Sequence, residues 1–153
     1  MHKVPYIIRA GGFSLIELMM VIGILVLLAG LSIPFYQSFQ VGSQMDNTTR
    51  EVASTLRRVQ GLAMGSRQWS QWGVHLEAHR YIVFAGAAYN AGDPANEIFT
   101  APTTITISTT AGADIIFSRV KGETSNVGTI TLQSTNNESS AIIINSRGII
   151  NVQ

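Results

Sequence analysis

The chain has 153 residues, room for one domain plus an anchor, and its ten basic and nine acidic residues give a formal charge of +1. That balance excludes the large basic footprint of a general nucleic-acid binder. The absence of cysteine excludes a disulfide framework and any thiolate metal site. In chain order, residues 1–12, MHKVPYIIRAGG, form a short basic leader. Lys3 and Arg9 hold that end on the cytoplasmic side by the positive-inside rule, and Ala10-Gly11-Gly12 supplies the small, flexible peptide that a protease cleft needs.

Residues 13–35, FSLIELMMVIGILVLLAGLSIPF, contain no Lys, Arg, Asp or His and one ionisable side chain, Glu17. As an α-helix this run is about 35 Å long, enough for a bilayer core of about 30 Å. Gly23 and Gly30 are tolerated because membrane helices accept glycine at close contacts. Pro34 lacks an N–H and crowds the preceding turn, so a kink or local melting is expected there. A carboxylate within such a run needs a cationic partner, since an unpaired charge near the bilayer centre costs at least a few kcal/mol. Cleavage between Gly12 and Phe13 creates one: the new α-amino group of Phe13 lies about one helical turn from Glu17. An ordinary signal anchor instead places Glu17 at the headgroup level. An ordinary secretory signal, however, is cut after its apolar region, whereas cleavage here leaves the apolar segment on the product.

Gly12-Phe13-Ser14-Leu15-Ile16-Glu17, the apolar run, and Pro34-Phe35-Tyr36 resemble the N-terminal signature of type IV pilins and pseudopilins. The match covers roughly residues 9–40. The resemblance implies a membrane prepilin peptidase that cuts after Gly12 and N-methylates Phe13, with Glu17 meeting the Phe13 amine of an adjacent subunit during assembly. It also implies other pilin or pseudopilin subunits, an inner-membrane assembly platform and membrane lipid as partners. The expected course is from a single-pass inner-membrane protein, its C-terminal domain outside, to a cell-surface filament. Many pilins close a C-terminal loop with a disulfide, which this chain cannot do. Loss of the leader removes Lys3 and Arg9, leaving eight basic against nine acidic residues, a charge of −1.

Beyond Pro34 the pattern turns amphipathic. Val41, Met45, Thr48, Val52, Leu56, Val59 and Ala63 recur at steps of three and four, which places them on one helical face. Asp46 and Arg50 have the spacing of an i,i+4 ion pair, and Arg57-Arg58 reads as a solvated face rather than a phosphate contact. One helix over 13–66 is therefore expected, embedded in its first half and packed on a sheet in its second.

From Gly73 the period becomes two, and Val74 and Leu76 followed by Tyr81 and Val83 predict a hairpin. The Gly, Asn, Asp and Pro content of 85–95 predicts a loop. Strands are expected at 97–101, 103–109, 114–119, 127–133, 140–145 and 148–152, the last two joined by a turn in which Gly148 takes positive φ. Ile115-Ile116-Phe117, Gly128-Thr129-Ile130-Thr131-Leu132, Ala141-Ile142-Ile143-Ile144 and Ser146-Arg147-Gly148-Ile149 resemble the β-domain of GspH/FimT-type minor pseudopilins. The predicted fold class is α+β, a pilin fold: leader 1–12, assembly helix 13–36 and globular domain 37–153.

Enzymatic and cofactor chemistry finds no support. The serines lack a nucleophile-elbow context and no phosphate loop occurs. His75 and His79, with Glu77 between them, have a zinc-like spacing, but in a hairpin rather than on a helix, so no metal is assigned. Asp93 has too few carboxylates nearby for a calcium cage, and Trp69 and Trp72 read as cover for the sheet edge. The expected role is a structural subunit, of the minor class, of a type IV pilus or type II secretion pseudopilus. The alternative is a binding module at a fibre tip. DNA-binding FimT-type proteins carry an arginine-bearing C-terminal segment. Here that segment has only Arg147 and an apolar end, which argues against nucleic acid, and the Thr-rich run 103–110 reads as a solvated strand more than an adhesive one.

Overall fold

The computed structural model describes residues 12–66 and 70–153, apart from the side chains at 31–35 and 37 within the helix. Lys3 and Arg9 of the leader, Trp69 and the side chain of Pro34 lie outside that description. The chain divides into two compact units, residues 1–37 and 38–153.

α1 (Leu15–Met64) is a 50-residue helix. Ser14 begins it as an N-cap, its hydroxyl accepting a hydrogen bond from the Glu17 N–H at 3.2 Å. Ser66 ends it in the left-handed region (φ 48°), and the N–H groups of Ser66 and Val120 satisfy the Ala63 carbonyl.

Eight antiparallel strands follow: β1 (Trp72–Leu76), β2 (Arg80–Ala85), β3 (Glu97–Thr100), β4 (Ile105–Thr109), β5 (Asp114–Phe117), β6 (Gly128–Ser134), β7 (Ser139–Ile144) and β8 (Ile150–Val152). They form two four-stranded sheets, β3-β2-β1-β5 and β4-β6-β7-β8, where the sequence pattern implied one. In the first sheet β5 returns past β4 to pair with β1, a crossover that hydrophobic alternation does not encode.

Both sheets and the second half of α1 share one core. The predicted helical face is buried from Met45 to Ala63, with Val41 only half-buried. Thr49, Ala53 and Thr55 are buried as well, because a helix packed on two sheets covers a wider arc than one packed on a single sheet. Val74, Tyr81, Ile115 and Phe117 meet it from the first sheet, and Ile105, Ile130, Leu132 and Ile142 from the second. The first sheet is covered on its other face too: Phe84 is buried beneath Tyr89 of the 86–96 loop (ring centroids 5.7 Å). Gly73 stands across from Phe84 in the β1–β2 register, and a Cβ there would run into the Phe84 ring.

Candidate assembly surface

The first unit presents the apolar half of α1. Phe13 is 85% exposed, and the large apolar side chains of residues 15–28 are exposed all round the helix. Such a cylinder has no covered face of its own, which is the pattern of a helix whose cover comes from lipid or from other helices. Nothing lies within 4 Å of where a Cβ would sit on Gly23 or Gly30. Among the described residues no helical window is long and apolar enough to cross a membrane. The stretch with described side chains, 15–30, is sixteen residues, and the sequence continues it through 31–35, outside that description.

Glu17 is exposed in the first turn of α1 and forms no ion pair among the described residues. Ser14-Leu15-Ile16-Glu17 has the spacing of a capping box. The helix dipole also favours a carboxylate at this end. Glu17 therefore has a local role at the helix start, which any test of its part in assembly must separate from its charge.

In the second unit several residues singled out in the sequence are engaged structurally. Arg57 donates to the Ile150 carbonyl at 3.0 Å, capping an outward-facing group of the edge strand β8. Arg58 donates to Glu97 of the edge strand β3 at 2.6 Å and lies over the Phe99 ring at 5.9 Å. The expected solvated face is thus a pair of clamps, one arginine on each sheet. The anticipated Asp46–Arg50 pair is absent from the described ion pairs, and both residues are exposed.

The two hairpin histidines have separate partners. His75 Nδ1–H donates to Asp114 at 2.5 Å, its ring stacks on Tyr89 at 4.0 Å, and Nε2 lies 3.7 Å from Glu77. His79 Nδ1–H donates to the Ile105 carbonyl of β4 at 2.9 Å. Glu77 is held by Arg80 in a two-pronged pair, whose hydrogen bonds lower the carboxyl pKa and raise that of the guanidinium. Among the described residues no group of three or more His, Asp or Glu could hold a metal. Asp93 caps its own loop through the Ala95 N–H. Trp72 opens β1, an interior strand, and packs against the core, so the expected sheet-edge cover does not apply to it. An open groove of about 780 Å³ runs beside β5, lined by Ile116, Ser118, Glu123, Asn126 and Arg147 among others.

A long N-terminal helix with an uncovered apolar first half, and a second half packed into antiparallel sheets, defines the α+β architecture of the pilin fold. Among solved structures the chain is similar to the type IV minor pilin FimU of Pseudomonas aeruginosa (strain PAO1). One crystal form matches with a TM-score of 0.60 at 11% identity, covering 75% of this chain and 92% of that one. A second matches at 0.55 and 12%, covering 71% and 92%. At this identity the likeness is one of fold. No family model and no curated protein matches the sequence.

Proposed function

We propose that this chain is a structural, non-enzymatic subunit of a fibre of the type IV pilus or type II secretion pseudopilus kind. The observation that carries the reading is the uncovered apolar half of α1, with Phe13 and Glu17 at its head. Prepilin peptidase removes residues 1–12 and methylates Phe13. The helix waits in the inner membrane, and an assembly platform moves it into a bundle of like helices. In that bundle the Phe13 amine of one subunit neutralises Glu17 of its neighbour, which removes the cost of an unpaired buried charge. Pro34, which withholds a backbone N–H, is where the helix loosens on packing. The likeness to FimU, itself a minor pilin, supports a subunit of the minor class.

The test separates charge from capping. Ser14 receives its hydrogen bond from the Glu17 backbone, so Glu17→Gln keeps that bond and removes only the charge. The expected outcome is normal processing to a Phe13 N-terminus by mass spectrometry, with loss of the protein from sheared fibres. Wild-type yield of Glu17→Gln in fibres counts against the pairing. A wild-type product that begins at Met1 counts against the whole reading. Replacing Gly12 by Val should leave the leader attached.

A further inference from the structure

We propose that β3 of one copy of this chain adds to β5 of the next, joining their first sheets edge to edge. This rests on the fibre reading above. The two sheets treat their edges differently. In the second sheet two outward groups of β4 are taken by its own chain: the Ile107 N–H donates to the Ala78 carbonyl, and the Ile105 carbonyl accepts from His79. At the opposite edge, β8, the Ile150 carbonyl accepts from Arg57. Among the described residues the edges of the first sheet carry one such bond, from the Ile116 N–H of β5 to the Asn126 side chain.

Backbone alternation identifies the free groups. The Ala101 N–H donates to the His79 carbonyl, so Phe99 and Glu97 also point toward β2, while Ile98 and Thr100 point outward. The Leu76 N–H donates to the Ala113 carbonyl, so Ile115 and Phe117 point toward β1, while Asp114 and Ile116 point outward. Among the described hydrogen bonds, the backbone groups of Ile98, Thr100 and Asp114 have no outward partner. The Ile116 N–H donates to Asn126 Oδ1 in a long bond of 3.4 Å, which an added strand would replace, and an open groove lies beside β5.

These two edges match. With four antiparallel strands, β3 and β5 run in opposite directions, so a second copy in the same orientation brings its β3 antiparallel to β5. The outward residues of both edges carry side chains on the same face of the sheet, the one away from the core. Ile98, 62% exposed, would meet half-buried Ile116 across the junction. The contact is heterologous, one edge on a different edge, and such contacts extend without closing when the rotation between copies does not complete a ring. A pairing of two four-residue strands is too short to hold copies together alone, so it operates between subunits already brought together by their apolar helices.

The natural absence of cysteine makes the test clean. Full-length chain carrying both Ile98→Cys and Ile116→Cys, or either alone, is produced in cells that assemble the fibre. Sheared fibres are then oxidised with copper phenanthroline. A ladder of dimers, trimers and longer species from the double variant only, abolished by adding Thr100→Pro, is the expected result. Thr100→Pro removes an outward N–H and leaves the β2–β3 ladder intact. Dimers from either single variant mean a like-with-like contact and overturn the proposal. Absence of any ladder while the chain is present in the fibres overturns it and leaves the fibre reading standing, as does a wild-type copy number of one per fibre. Absence of the wild-type chain from fibres overturns both.

Discussion

Tyr81 shows how a single side chain can set the alkaline limit of this fold. Its ring is buried and stacked on Phe99, and its hydroxyl, beside Glu51 and Thr55, has no partner in full hydrogen-bonding geometry among the described residues. Burial, and then the nearby Glu51 carboxylate, push its pKa well above the ordinary phenol value of 10.0. The unfolded chain therefore releases the Tyr81 proton first as pH rises. The stability this group contributes is full below pH 10.0 and declines above it. Tyr81→Phe should flatten the fall in unfolding midpoint between pH 9 and 11. At neutral pH it should be neutral or stabilising by up to about 1 kcal/mol, because it removes an unsatisfied buried hydroxyl. A loss of more than that in chemical denaturation would mean the hydroxyl has a partner. Gly148 tests backbone conformation instead. It takes φ 76°, and a Cβ there would run into the Gly122 carbonyl and the Gln60 side chain. Gly148→Ala should cost about 1–3 kcal/mol by thermal unfolding. The requirement for positive φ was legible from the Asn-Ser-Arg-Gly turn; the crowding was not, because Gln60 lies far away in the chain.

Among the elements, the second half of α1 is both the best-read and the least complete part of the sequence analysis. Its apolar spacing gave the buried face from Met45 to Ala63, and the change to a period of two gave the β1–β2 hairpin. What the spacing could not give is what the polar residues of that helix touch. Arg57 and Arg58 look like solvent-facing neighbours, but their partners, Ile150 and Glu97, lie 93 and 39 residues away and come alongside only once two sheets have formed. For the same reason the split into two sheets is not legible in the sequence, since alternation reports which face of a strand is buried but not which strand lies beside it. The two arginines should separate in experiment. Arg57→Ala leaves the part-buried Ile150 carbonyl without its charged donor and should cost about 1–2 kcal/mol. Arg58→Ala breaks an ion pair whose side chains are 43% and 48% exposed, and should cost less than about 1 kcal/mol. Raising salt should narrow the deficit of Arg58→Ala much more than that of Arg57→Ala, because exposed pairs are screened and part-buried main-chain bonds are not. Equal losses in thermal unfolding would show that packing of the stems, not their partners, sets both values.

For the whole molecule, the division into residues 1–37 and 38–153 separates two kinds of stability. Every buried apolar side chain of the shared core, from Met45 to Ile150, belongs to the second unit. Among the described residues the first unit offers exposed apolar surface and contributes no side chain to that core. A cooperative unfolding transition measures the core, so it should be insensitive to what surrounds the apolar helix. The chain lacking 1–37 should therefore unfold within about 4 °C of the full-length chain in detergent, the shift that about 1 kcal/mol produces in a domain of this size. Micelle interactions and the loss of helical turns before Ser38 both act on the helix start, so the comparison should also follow a core reporter such as Trp72 fluorescence. A larger drop by that reporter would mean that the first unit supports the fold of the second. No change would leave the apolar segment free to move between lipid and a helical bundle without disturbing the domain it carries, the property that the proposed fibre role demands.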